Sequence, residues 1–276
     1  MATPRLAKLR LTGSDGGPLY VDVRTAAGPG EARPAVVVCH GFKGFKDWGF
    51  FPKLAERLAL AGFTAITFNF SGSGVGDGEE FDEPERWGHQ RPSGDLDDIQ
   101  TVVDFVADGG SAWVGLVGHS RGGGLAVLHA ARDARVRALV TWAAVGSFLW
   151  WPDDDLRRWR AEGKIDVVNT RTGQVLPIYR DALDDLEANG AKALNVPAAA
   201  GRVTVPWLIV HGTEDTSVPP TEAEHLRAAS RSPATELWLV EGAGHTFGAK
   251  HPWAGSTPDL DQVMDRTVRF LSEALR

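Results

Sequence analysis

The stretch "VGLVGHSRGGGLAVLHAARD", residues 114–133, sets the tightest folding constraint in the chain. An apolar, β-branched run ends at Gly118-His119-Ser120, and apolar residues at helical spacing resume directly after Arg121-Gly122. With no residues to spare for a loop, strand can pass to helix only through a sharp corner. Glycines on both sides of Ser120 remove the side chains that would obstruct that corner. A serine held there has its hydroxyl exposed, and G-x-S-x-G is the pattern of a nucleophile presented in this way. The same residues can also make a tight turn with an idle serine, so the context decides.

That context is a chain in which short β-branched or aromatic runs alternate with longer helical patterns, as in a mostly parallel sheet covered by helices. "LAKLRLT" and "LYVDVRT", joined by the turn-rich "GSDGGP", read as an antiparallel hairpin at one sheet edge. Six further strands are expected within 35–40, 63–70, 112–120, 136–145, 205–212 and 235–242. Helical spacing marks "FPKLAERLALAG", "GDLDDIQTVVDFVADGG", "RGGGLAVLHAARD", "PTEAEHLRAASRS" and "DLDQVMDRTVRFLSEALR". In the last, Val263, Val268, Phe270, Leu271 and Leu275 are expected to form the face docked on the sheet. Residues 147–200 break the rhythm with Trp150, Trp151 and Trp159, the stretch "GKIDVVNTRTGQVLPIY" and an acidic helix, "RDALDDLEANGAKAL". They read as an inserted lid over the carboxyl edge of the sheet, between core segments 1–146 and 201–276, with peripheral decoration as the alternative.

At 276 residues the chain can bury roughly three quarters of its unfolded surface in one core. No stretch approaches the ~18 apolar residues of a membrane span, and "MATPRLAKLRLTGSDGG" lacks the apolar core of a leader, so a cytoplasmic protein is expected. The lone cysteine, Cys39 in "PAVVVCH", reads as a small core residue. A net charge of −7 with no basic cluster argues against nucleic acid as a partner. The acidic run in "WPDDDL" reads as a solvated helix start. The glycines of "SGSGVGDGEE" lack the spacing of a phosphate-binding loop and suit a loop near a pocket. His40, His119, His129, His211 and His225 have no metal-ligand spacing, so structural roles and no metal are expected. His89 and His251, in loop-like stretches, read as solvated.

A serine hydroxyl becomes a nucleophile at neutral pH only with a base, a group that orients the base, and donors for the oxyanion. His245, in the glycine-rich "VEGAGHTFG" after the last strand, can swing over Ser120 as the base. Asp215, in "IVHGTEDTSVPP" beyond the preceding strand, can hold its tautomer, with the adjacent Glu214 as a rival. Trp48, Trp150, Trp151 and Tyr179 are candidates for an aromatic acyl pocket, against core packing as the alternative.

With "HGFKGFKDW", "GHSRGG", "HGTEDTSVP" and "GAGHTF" in view, the chain resembles the α/β-hydrolases of the serine esterase and peptidase superfamily over nearly its whole length outside the lid. It is most similar to bacterial cinnamoyl or feruloyl esterase-like and dienelactone-hydrolase-like members. The resemblance implies an α/β-hydrolase fold, with a mostly parallel eight-stranded sheet flanked by helices and a small inserted lid. The chain order Ser120, Asp215, His245 is the one such sheets use. The superfamily's G-x-x-D-x-x-V-P pattern falls on Gly212, Asp215, Val218 and Pro219, which favours Asp215 over Glu214. By the same resemblance, the backbone N–H groups of Phe42 and Arg121 would stabilise the oxyanion. The expected activity is cleavage of a small-molecule carboxylic ester by a Ser-His-Asp triad through an acyl-enzyme, without a cofactor. A peptidase or amidase using the same residues is one alternative, and a non-catalytic hydrolase-fold binding protein is another. Assembly into a homo-oligomer is left open.

Overall fold

The computed structural model describes residues 3–26 and 33–276; residues 1 and 2, at the start of the stretch read above for a leader, lie outside them, as do 27–32. The chain begins with β1 (Arg5–Thr12), β2 (Pro18–Thr25), β3 (Ala35–Cys39), α1 (Phe51–Leu60), β4 (Thr64–Phe68), α2 (Pro84–Gly88), α3 (Pro92–Asp108), β5 (Val114–His119), α4 (Arg121–Ala130) and β6 (Val136–Trp142). Next come α5 (Asp153–Glu162), β7 (Lys164–Val168), β8 (Val175–Tyr179), α6 (Arg180–Asn189) and α7 (Val196–Ala200). The chain closes with β9 (Trp207–Gly212), α8 (Thr221–Ala229), β10 (Thr235–Val240) and α9 (Pro258–Ala274).

Eight strands form one sheet in the order β1-β2-β4-β3-β5-β6-β9-β10. The β1–β2 hairpin and the β2–β4 pair are antiparallel, and every other pair is parallel. All eight strands fall where the alternating pattern expected them. The unbroken apolar run of β3 has a simple cause, because helices cover both faces of the sheet. Val36 and Val38 share a cluster with α1 and α9, while Ala35, Val37 and Cys39 share one with α3 and α4. Burying each such valine contributes roughly 1.5–3 kcal/mol, and Cys39 is the small core residue its context suggested.

Helix α9 is capped by Thr257, whose side chain accepts the Leu260 N–H, and docks through Leu260, Val263, Met264, Thr267, Phe270 and Leu271. Leu275, expected on that face, is instead 43% exposed, because the helix ends at Ala274 and the docked stripe stops before it. No helix of the described residues is long and apolar enough to cross a membrane.

Between β6 and β9 the chain builds a separate cluster. Leu156 and Trp159 of α5, Ile165, Leu176 and Ile178 of the antiparallel β7–β8 pair, and Ala182 and Leu183 of α6 pack on Phe45, Val75, Phe81 and Trp87. Those four side chains belong to connections that leave β3 and β4, so the segment sits above the carboxyl ends of these strands. Its last part behaves differently: Leu194, Val196, Ala199 and Ala200 join the larger core beside α4 and α8. The acidic start of α5, Asp153 to Asp155, faces solvent at a helix N-terminus, where negative charge is favourable.

Candidate active site

Ser120 occupies the corner between β5 and α4 with φ 56° and ψ −121°, a left-handed backbone that a residue with a Cβ rarely adopts. The corner is held by its own backbone: Ser120 N–H donates to Trp142 O at 2.8 Å, and Ser120 O accepts from Gly123 at 2.9 Å. Both flanking glycines are needed for close approach. A Cβ on Gly118 would lie 2.3 Å from Gly122 O, and one on Gly122 would lie 2.3 Å from His40 O and 2.4 Å from Cys39 O. Gly122→Ala is therefore expected to destabilise the fold by roughly 3 kcal/mol through overpacking against backbone that cannot yield. Urea unfolding checks this, and a variant as stable as the parent would contradict it.

The turn after β9 carries Asp215, and the turn after β10 carries His245. The two turns are tied together, with Glu214 N–H donating to Ala243 O at 3.0 Å and Gly242 N–H to the Thr213 hydroxyl at 2.8 Å. His245 Nδ1 lies 2.7 Å from Asp215 Oδ2, so it carries the proton and leaves Nε2 as an acceptor. Asp215 Oδ1 accepts from the N–H groups of Ser217 and Val218, at 2.8 and 2.9 Å. Burial alone would raise the Asp215 pKa. The hydrogen bonds from His211, His245 and the Val218 backbone outweigh it and hold the carboxyl well below the usual range. Glu214, the rival for this position, faces solvent.

Two further histidines brace the pair, and the sequence had indicated only structural roles for them. His211, fully buried, points Nε2 at Asp215 Oδ2 (3.2 Å) and Val218 O (2.9 Å). The i,i+4 spacing of His211 and Asp215 was the available signal. His119 donates from Nε2 to His245 O at 3.0 Å, its ring 4.7 Å from that of His245. Burial, with His245 nearby, lowers its pKa to about 3, so it is neutral.

The loop after β3 carries Phe42. His40 anchors it by accepting the Phe70 N–H on Nε2, at 3.2 Å, and Asn69 Oδ1 accepts the Lys46 N–H at 2.6 Å. Lys46, with a fully buried side chain, is paired with Asp22 and Asp47. Neither Phe42 nor Arg121 uses its backbone N–H in a hydrogen bond among the described residues. The Arg121 side chain is turned into the protein, where Asp95 of α3 lies 2.5 Å away and Gln90 accepts from it.

A cavity of ≈ 280 Å³ brings Ser120, His245, Phe42, Trp48 and His119 together, along with Asn169, Thr170 and Arg171 from the β7–β8 turn. The Ser120 hydroxyl forms no cap with the helix it precedes. His251, expected to be solvated, lines the cavity instead with its side chain 3% exposed, stacked 6.1 Å from Trp48. Trp150 and Trp151 lie on the far side of Phe42, at ring distances of 5.6 and 6.1 Å, around a hollow of only ≈ 20 Å³. Tyr179 reaches neither space; its hydroxyl donates to Glu85 at 3.1 Å and its ring packs on His89. The glycine-rich loop expected near the pocket does come close, with Glu79 3.6 Å from His251. A larger, shallower hollow of ≈ 700 Å³ lies at the opposite, amino ends of β5, β6 and β9, remote from these side chains.

The residues thus converge beyond the carboxyl ends of the parallel strands, the usual place for sites on such sheets. A model of the alpha/beta hydrolase family matches residues 36–255. The chain belongs to the alpha/beta hydrolase family. It is 26% identical over 212 residues to the 2,6-dihydropseudooxynicotine hydrolase of Paenarthrobacter nicotinovorans, a match covering 73% of this chain and 49% of that one. It is 33% identical over 111 residues to an uncharacterized 31.7 kDa protein of Escherichia coli, covering 39% of this chain and 36% of the other. This alpha/beta hydrolase therefore spans between about a third and a half of the length of the curated relatives it matches. Among solved structures, that of Est1E from Butyrivibrio proteoclasticus with ferulic acid bound aligns with a TM-score of 0.75 at 19% identity, covering 97% of this chain and 99% of that one. At that identity the likeness describes the fold.

Proposed function

We propose that this alpha/beta hydrolase cleaves carboxylic esters by acyl transfer through Ser120. The observation that carries the reading is one cavity lined by both Ser120 and His245, with His245 Nδ1 held 2.7 Å from the Asp215 carboxylate. His245 Nε2, left as an acceptor, takes the Ser120 proton as Oγ attacks the ester carbonyl. The Phe42 and Arg121 N–H groups, uncommitted among the described residues, receive the negative charge on the carbonyl oxygen. The imidazolium returns the proton to the departing alcohol. Water, deprotonated by His245, then attacks the acyl-enzyme, releasing the acid and restoring Ser120. Asp215 orients the imidazole and stabilises its charged form throughout.

In this reading the part of 147–200 that builds its own cluster, residues 147–189, acts as a lid, and the acyl group lies against Trp48, with Trp150 and Trp151 widening the site when the lid shifts. Tyr179, bound to Glu85, takes no part. A fluorophosphonate is expected to label Ser120 alone, as read by mass spectrometry of the digested protein, and phenyl esters are expected to turn over far faster than the matching anilides. Absence of labelling in folded protein would overturn the reading, and anilides cleaved as fast as esters would move it to amide hydrolysis.

A further inference from the structure

The cavity around Ser120 has a one-sided polar lining. Its charged side chains are Lys43 and Arg171, both cationic, and no aspartate or glutamate is among its lining residues, in a chain whose net charge is −7. Arg171 is already engaged by Glu80 at 3.2 Å, which neutralises much of its charge. Lys43 is different. Lys46 is paired with Asp22 and Asp47, and Lys53 with Glu56, but partly buried Lys43 has no ion-pair partner among the described residues. It follows Phe42 directly and has a left-handed backbone, φ 57°.

Asn169, of the β7–β8 turn, also lines this cavity. Asn169 is 7% exposed, and its Oδ1 accepts the Arg171 N–H at 3.1 Å, an interaction that fixes which end of the carboxamide is oxygen. Its Nδ2 is buried with no hydrogen-bond partner. A buried donor without an acceptor is unfavourable, and an ammonium removed from bulk water without a counter-charge is more so. One ligand group relieves both: a carboxylate.

We infer that the substrate carries a carboxylate in addition to its ester, recognised by Lys43 and Asn169 while Ser120 attacks; this rests on the reading of Ser120 above. The full chain is assayed with monophenyl adipate against phenyl heptanoate, which puts the carboxylate on the acyl side. In a second arm 4-acetoxybenzoate is compared with 4-acetoxyacetophenone, which puts it on the alcohol side. In one arm at least, kcat/KM for the anionic member exceeds that of the neutral one by roughly tenfold at low salt, and the ratio shrinks as sodium chloride screens the charge. Lys43→Met brings the ratio close to one and Lys43→Arg restores it. Asn169→Asp keeps the oxygen that the Arg171 N–H needs but replaces the donor with negative charge, and is expected to invert the ratio.

A ratio at or below one in both arms for the unsubstituted chain, or a ratio that neither Lys43→Met nor Asn169→Asp alters, overturns the inference. The ester reading fails separately, as no turnover of any of the four compounds by folded protein. Calorimetric titration with both pairs, monophenyl adipate against phenyl heptanoate and 4-acetoxybenzoate against 4-acetoxyacetophenone, then decides the carboxylate preference without turnover, tighter binding of the anion in either pair upholding it and equal or weaker binding in both overturning it.

Discussion

Ser120→Ala is expected to lower kcat for phenyl acetate by on the order of 10⁶-fold, with the fold unchanged. The loss is large because the attacking oxygen is removed, so the base and the oxyanion donors have no intermediate to act on. Some acceleration over water remains, since backbone donors and the binding cavity persist. The fold survives because nothing structural hangs on the hydroxyl. The corner is held through main-chain contacts to Trp142, Gly123 and Gly124, and Oγ caps no helix. Alanine accepts the same φ of 56° with the same strain that serine already bears. Steady-state kinetics and the thermal unfolding midpoint are measured together. Activity within tenfold of the parent, at an unchanged midpoint, would remove Ser120 from the chemistry, whereas a large drop in the midpoint would mean that its hydroxyl had a structural part.

The sheet was legible because its strands are buried on both faces, so β3, β5, β6 and β9 appear as continuous apolar runs bounded by turn residues. The positions of Ser120, Asp215 and His245 were legible for a related reason: they follow the ends of β5, β9 and β10, and strand ends are where a parallel sheet collects its loops. The β7–β8 pair was harder to see. Its two strands alternate, with Ile165, Leu176 and Ile178 inward and Lys164, Asp166 and Val175 outward, a period-2 signal hidden between two amphipathic helices. Tertiary contacts between distant segments were not legible at all. Nothing in the local pattern of His251 says that it will stack on Trp48, 203 positions earlier in the numbering, and nothing near Tyr179 says that α2 will supply Glu85 to bind its hydroxyl. Lys46 shows the same limit. Nothing in "GFKDW" says that its side chain is fully buried, which it is because Asp22 on β2 and Asp47 neutralise it.

Asp215→Asn should lower kcat by about 10⁴-fold, the largest effect expected from a side chain that never touches the substrate. The carboxylate accepts four hydrogen bonds, from His245, His211 and the N–H groups of Ser217 and Val218. An asparagine of the same shape has one acceptor atom. If its oxygen stays on Ser217 and Val218, the amide NH₂ meets His245 Nδ1, which then becomes the acceptor. The proton moves to Nε2, and His245 can no longer take a proton from Ser120. KM is expected to change little, since no substrate contact is lost. The same substitution separates the stability role by its pH dependence. Asp215 has a folded pKa depressed below its unfolded value of about 3.9, so its ionised form stabilises the fold above about pH 4. That contribution fades as pH falls through this value toward the lower folded one. The parent should therefore be more stable than Asp215→Asn at pH 7, and the gap should narrow steadily below about pH 4. Urea unfolding of both proteins from pH 7 down to pH 3 measures the gap. If it stays constant across that range, the carboxylate's ionisation is not what holds the β9 and β10 turns together, and the low activity of the variant would have to come from a displaced His245 instead of a reversed tautomer.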